Sequence, residues 1–406
     1  MVHWLAMRWR ILALLVVSLM VNLVDRQVLS LVAPLMRDEL SISNTGYGVI
    51  VAAFLLGMTL FQIPVGLALD RFGARAGLAL LVSLWSFITG LHCWARSTMH
   101  FGVLRFLLGM AECGNYSAGV KVIGQWFPPH QRALAGGIFN SGSIAGSMLA
   151  PPLVVWLTMR FGWRNAFLLA ASVGALWIIP WLMGYRRPEQ IGPAIGSGER
   201  TALRVHFHSR AVWTVLLMRA LGGPVNHFYW YWLPEYLKRE RGLSLEMIGV
   251  LAWLPYLFAG IGNVLGGWAS GRLLARGWQL DAARKLVFCG GTACCLASML
   301  VPLAPGAGSA IALIGLASFG IAAYAANLIG LITDLFPQRM LAQVTGIAGA
   351  GEGIIAMCTV LLTGVVVDRY SYLPVFLGAG ILPVLGVGAF FLLLRPSLSS
   401  KPGQLS

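Results

Sequence analysis

The chain has 406 residues, of which 58% are hydrophobic and only 11% charged, and it carries a net charge of +15. An average soluble domain has about 25% charged residues, so this composition excludes an ordinary soluble enzyme and points to helices immersed in lipid. The basic excess does not indicate a nucleic-acid partner, because the arginines and lysines concentrate between apolar runs rather than along one polar face.

A bilayer core of about 30 Å takes roughly 20 apolar residues per helix. By that measure twelve spans are predicted, beginning with 9–35, which holds NLVDRQ with Asn22, Asp25 and Arg26. The second, 45–68, runs into GLALDRFGAR (66–75), and the third covers 76–95. The fourth, 99–125, carries Arg105, Glu112, Tyr116 and Lys121, and the fifth, 133–157, carries Asn140 and Ser143. The sixth is 163–185. Residues 187–210 follow, a Pro-, Gly-, Arg- and His-rich linker containing Arg187, Arg200 and Arg204. In the seventh, 211–237, Gly222, Gly223 and Pro224 are expected to break the helix beside Arg219, Asn226 and His227. Then come 245–270, running into GWASGRLLAR (267–276), and 284–303, 307–333 with Asn327, 342–366 with Glu352, and 372–394. Residues 397–406 form a short tail.

Placing both termini in the cytoplasm puts Arg71, Arg75, Arg210, Arg272, Arg276, Arg284 and Lys285 on that side, and fewer bases, among them Arg37, Arg96, Arg160 and Arg164, on the other. This is the orientation set by the positive-inside rule. The cysteines Cys93, Cys113, Cys289, Cys294, Cys295 and Cys358 show no metal-ligand spacing and read as packing residues. No metal and no organic cofactor is expected. The N-terminal apolar run is too long for a cleavable signal peptide and has no A-x-A-like site.

Once the charges assigned to loops and span ends are set aside, seven are singled out within spans: Asp25, Arg26, Arg105, Glu112, Lys121, Arg219 and Glu352. Facing lipid, each costs about 2.5–3.5 kcal/mol, on the order of 20 kcal/mol together. A folded protein has a net stability of only about 5–15 kcal/mol. These groups must therefore line a polar interior or pair with one another. On an ideal helix Arg105 and Glu112 lie about 20° and about 10 Å apart, with Tyr116 on the same face, whereas Lys121 points the opposite way. Asp25 and Arg26 diverge by about 100° and cannot neutralise each other within one helix. Glu352, among glycines, is read either as a second protonation site or as a partner for Arg219.

Paired motifs about 200 residues apart, GLALDRFGAR with GWASGRLLAR and WFPPHQRALAGGI with LFPQRMLAQVTGI, indicate duplicated halves of parallel topology. The expected architecture is an all-α membrane protein with 12 transmembrane helices. Six-helix bundles at 1–186 and 211–396 flank the 187–210 linker, in the major facilitator arrangement. GxxxDRxGxR, here Gly66, Asp70, Arg71, Gly73 and Arg75, is similar to that superfamily's cytoplasmic gate motif, with Gly271 in place of the aspartate in the second copy.

Over residues 10–395 the chain resembles the anion:cation symporter family, and within it the hexuronate transporters. NLVDRQVLS, LRFLLGMAECGNYSAGVKVIGQWFP, FNSGSIAGSMLAPPLVVW and AWLPYLFAGIGNVLGGW carry the likeness. The resemblance implies uptake of a sugar acid with a proton as coupling ion. Arg26 and Arg105 match carboxylate ligands, Asp25 and Glu112 the proton-carrying pair, and Lys121 a family-typical base. Relatives often have tyrosine at Leu23, tyrosine or histidine at Met58, and an acid at Gly223. The pocket is therefore less polar here, and an aldonate, dicarboxylate or aromatic acid is an alternative substrate, as is exchange or facilitated passage without proton coupling. Further expected substrate contacts are Asn22, Tyr116, Asn140, Ser143, Arg219, Asn226, His227 and Asn327, with Glu352 in proton coupling. The implied partners are a small organic anion and the lipid bilayer, not nucleic acid. The working unit is expected to be one chain, multi-pass in the inner (plasma) membrane.

Overall fold

The computed structural model describes residues 2–127, 129–185, 209–336 and 338–394. All regular structure among them is helical: α1 Val2–Leu40, α2 Asn44–Phe72, α3 Ala74–Leu91, α4 Thr98–Glu112, α5 Gly114–Trp126, α6 Pro129–Phe161 and α7 Trp163–Gly184. Next come α8 Arg210–Arg239, α9 Leu245–Leu251, α10 Leu254–Ala275, α11 Leu280–Cys295, α12 Ala307–Leu335, α13 Gln338–Arg369 and α14 Leu373–Leu393. Short 3₁₀ turns extend α3 and α11. The linker expected at 187–210 lies outside the described residues except for its last two, and the tail at 397–406 lies outside them altogether.

Ten of the described helical stretches are long and apolar enough to cross a membrane. The regions of the fourth and seventh predicted spans are not among them, because polar side chains concentrate there: Arg105, Glu112 and Lys121 in one, and Arg219, Asn226, His227 and Glu235 in the other.

Two helices differ from the reading of the sequence. The Gly222-Gly223-Pro224 run does not break its helix, and α8 continues from Arg210 to Arg239. Proline removes one backbone donor and crowds the carbonyl four residues back, which a membrane helix tolerates where neighbouring helices pack around it. The two glycines serve instead to admit neighbours. A Cβ on Gly222 would lie 2.8 Å from the Tyr324 ring, and one on Gly223 would strike the Glu352 carboxylate. The interruption falls in the fourth span, where a one-residue turn at Cys113 separates α4 from α5 directly after Glu112.

The chain divides into two compact units. One contains the described residues of Met1–Arg200 with Tyr231–Trp253, and the other those of Thr201–Trp230 and Leu254–Ser406. In the first, α1 packs mainly on α6 and α7, α2 on α4, and α3 on α7. The α2–α4 crossing is a backbone-to-backbone contact. A Cβ on Gly57 would collide with the Phe106 carbonyl, and a Cβ on Gly109 with that of Phe54. Small residues at a crossing let membrane helices approach this closely. In the second unit the principal packing is α10 on α12, with α11 against both. Asn327 Nδ2 donates to the carbonyls of Gly266 (2.9 Å) and Ala323 (3.0 Å), tying α12 to α10.

Gly109→Leu is therefore expected to destabilise the protein by about 1–3 kcal/mol or more through overpacking. Gly66→Ala meets nothing within 4 Å and is expected to be neutral. Thermal unfolding of the two variants in detergent distinguishes them, and equal melting temperatures would refute the crossing as described.

Candidate functional site

The first unit gathers the charges of α1 and α4 into one buried cluster. Arg26 Nε donates to Glu112 Oε2 at 2.7 Å, and the glutamate side chain has no exposed surface. The guanidinium of Arg26 lies 5.6 Å from the Phe54 ring centroid, and that of Arg105 lies 5.8 Å from the same centroid. Both cations thus converge on one aromatic ring, an arrangement worth roughly 2 kcal/mol or more per contact once water is excluded. The glycine crossing of α2 and α4 makes this convergence possible, because Phe54 and Gly109 meet at the crossing point.

Arg105 is 1% exposed, and none of its three guanidinium nitrogens has a hydrogen-bond partner among the described residues. Asp25 is equally buried, and neither of its carboxylate oxygens is bonded. Glu112 keeps Oε1 unbonded. The charged neighbours of Asp25 are Glu112 and Arg105, so the four groups form one electrostatic cluster with two of its members unsatisfied. Buried ions without hydrogen bonds are expensive and are retained where a ligand or a proton satisfies them during function. A guanidinium with free N–H groups on one edge can hold a carboxylate bidentately, and two facing carboxylates favour sharing a proton.

Around the cluster, Ser18 Oγ donates to Asn115 Oδ1 at 2.8 Å, joining α1 to α5 beside buried Asn22. Tyr47 OH donates to the Tyr231 carbonyl at 2.7 Å. Leu23 is buried against Gly146 of α6. Tyr116 stands half exposed, its ring tilted against Phe139 at 5.7 Å rather than in a buried stripe with Arg105 and Glu112. The interruption at Cys113 lies between them. Lys121 Nζ donates to the Leu69 carbonyl at 2.8 Å, at the C-terminal end of α2. Asn140 is exposed and Ser143 half-buried on α6.

The gate-motif region sits at the same end of α2. Gly73, at φ +80°, ends α2 and starts α3, a conformation that strongly favours glycine. Arg75 donates to the Leu182 carbonyl at 2.6 Å and accepts from Trp181 through its own carbonyl at 3.0 Å. Gly66 is open, Arg71 lies over the Phe72 ring, and the side chain of Asp70 is outside the described residues.

The second unit has a separate ion pair, Arg219 Nε to Glu352 Oε2 at 2.5 Å, in a cavity of about 130 Å³ lined also by Gly222, Gly223, Asn226 and Tyr324. The Glu352 carboxylate fills the space beside Gly223, so α13 supplies an acid at the place where the family resemblance expects one on α8. His227 Nδ1 lies 3.1 Å from the Gly223 carbonyl, and its ring packs on Trp230. Asn327 accepts from Arg284 at 3.1 Å, which together with its two donations commits it to helix packing.

The model of the Major Facilitator Superfamily matches residues 15–322 and 269–405. The chain belongs to that superfamily, a family of transporters rather than enzymes. Over 98% of its length it is 28% identical to the hexuronate transporter of Escherichia coli K12, covering 95% of that protein. It is 31% identical over 64% of its length to the galacturonate transporter of Dickeya chrysanthemi, covering 81% of that chain. A solved D-xylose-proton symporter superposes with a TM-score of 0.77, 15% identity, 95% of this chain and 98% of its own. A bacterial homologue of the human lysosomal transporter Spinster gives 0.75, 19%, 95% and 97%. The major facilitator fold and a multi-pass membrane transporter are thereby established.

Phe54 and Tyr47 escape a reading of the sequence, because an aromatic residue in a membrane helix has no contrast with its surroundings. Glu235 was passed over as well. It is fully buried and is held by Arg37 and, at 3.0 Å, by Arg239 Nε. Its signal was an acid within an apolar aromatic stretch, YWYWLPEY. Removing Arg37 leaves that carboxylate buried with one base fewer. Arg37→Met is expected to cost about 3–5 kcal/mol, and Arg37→Met with Glu235→Leu to recover most of it. A double-mutant cycle of thermal unfolding in detergent measures the coupling, and simple additivity would contradict it.

Proposed function

We propose that this superfamily member carries a monovalent sugar acid of the hexuronate or aldonate type across the inner membrane, inward and together with a proton, by alternating access. Twelve spanning helices in two bundles of six, with both termini cytoplasmic, are the arrangement we assign to it. The observation that carries the substrate reading is Arg105, a fully buried guanidinium with no hydrogen-bond partner among the described residues, facing the same ring as Arg26. The substrate carboxylate is assigned to these two guanidiniums, and Phe54 supplies a flat apolar face for the C–H side of the sugar. The names of the hexuronate and galacturonate transporters among its relatives support that substrate class.

Proton coupling is assigned to Glu112 and Asp25. While Glu112 is ionised it holds Arg26, and protonation releases Arg26 to the substrate, so anion and proton enter the cluster together. Asp25, next to Arg26 on α1 and unbonded, is the second carrier. The Arg219–Glu352 pocket with Asn226 is a further polar locus, within the second unit. The rival reading is an exchanger or facilitator working without a proton.

Uptake of glucuronate and galacturonate into proteoliposomes with an acidic exterior tests the proposal. Wild type is expected to accumulate the anion against its gradient. Glu112→Gln is expected to lose that accumulation while retaining counterflow within about tenfold of wild type. Arg105→Lys keeps the charge but not the bidentate fork and is expected to weaken binding about 10- to 100-fold. Counterflow with no response to the pH gradient in wild type would establish the exchanger instead.

A further inference from the structure

The second copy of the gate motif lacks its acid. In GWASGRLLAR, Gly271 stands where Asp70 stands in GLALDRFGAR, and Arg272 and Arg276 remain. Arg272 lies in the last turn of α10 and Arg276 is the residue directly after it, its N–H shared between the carbonyls of Arg272 (3.2 Å) and Leu273 (3.1 Å), so the four-residue spacing keeps both near one face of the helix end. Both are exposed, and neither forms an ion pair or side-chain hydrogen bond among the described residues.

These arginines stand at one end of an open groove of about 530 Å³ between α10, α11 and α12. Leu265, Trp268 and Leu286 form much of its wall and are 45%, 63% and 51% exposed. Gly290 is an exposed lining residue, where an added Cβ would meet nothing within 4 Å. No carboxylate lines it. Behind the groove, Arg284 ties the three helices together through Asp334 (2.9 Å), Ser270 (3.1 Å) and Asn327 (3.1 Å).

An apolar channel with two unpaired guanidiniums at its mouth has the chemistry of one occupant, a lipid with an anionic phosphate headgroup. We propose that α10, α11 and α12 form a specific binding site for an anionic diacyl phospholipid, its phosphate on Arg272 and Arg276 and one acyl chain along Trp268 and Leu286 over Gly290. Guanidinium forks suit phosphate oxygens, and basic pockets between membrane helices bind such headgroups. The site is separate from the charge cluster of α1 and α4 and does not depend on which anion is transported.

Binding to the full-length protein in detergent, followed by native mass spectrometry and thermal shift, tests the site with dioleoyl phosphatidylglycerol, dioleoyl phosphatidylcholine and sn-glycerol 3-phosphate. Phosphatidylglycerol is expected to bind and to raise the melting temperature, and the other two to do neither. Arg272→Gln with Arg276→Gln is expected to weaken phosphatidylglycerol binding about thirtyfold, equivalent to about 1 kcal/mol per arginine. Gly290→Leu puts a bulky side chain into the groove and is expected to reduce lipid binding while lipid-free unfolding stays as in wild type. Should the double variant fail to fold, Gly290→Leu decides. Equal binding of the two lipids, a shift produced by glycerol phosphate alone, or wild-type binding by Gly290→Leu would overturn the proposal.

Discussion

A bare guanidinium in a low-dielectric interior dominates the organisation of the first unit. Arg105 has no hydrogen bond among the described residues, and its charge is offset by groups placed around it: Glu112 and Asp25 as counter-charges and the face of Phe54 as a quadrupole. Arg26 shares that ring and binds Glu112, which leaves the cluster near neutrality with two positive and two negative members. In a medium where each isolated ion is so costly, such a balanced set is stable only as a whole. A change of charge at one member is felt at the others. It is on this coupling that the proposed joint recognition of an anion and a proton rests.

The second unit meets the same constraint differently. Among its described residues, the charges at membrane depth are held in direct pairs, Arg219 with Glu352 and Arg284 with Asp334, and Asn327 spends its capacity on backbone carbonyls. Among the described residues the fully buried, unbonded charges lie in the first unit, and the functional assignment follows that asymmetry rather than the count of polar residues. Lys121 illustrates the distinction, since its ammonium caps the end of α2.

Much of the cluster was legible in the sequence because a charge in an apolar helix stands out, and Asp25, Arg26, Arg105 and Glu112 were found that way. Helix geometry on an ideal wheel also separated Lys121 from Glu112. What was not legible depends on close approach. Gly222, Gly223 and Pro224 carry every local sign of a broken helix, yet Tyr324 and Glu352 pack into the space they leave and the helix continues. The turn at Cys113 has no local signal at all. Phe54 is one of 19 phenylalanines, and only the Gly57 and Gly109 contacts reveal which one faces the charges.

That glycine contact has a mechanical consequence. Carbonyl meets glycine at both Gly57 and Gly109, so at these two points the backbones of α2 and α4 touch directly, with the Phe61 and Phe106 rings packed beside them. Gly142 and Gly146 of α6 receive the carbonyls of Val16 and Met20 of α1 in the same way. Both helices that carry the charges are therefore seated on a partner helix through glycine, and a side chain at any of these four positions would part them.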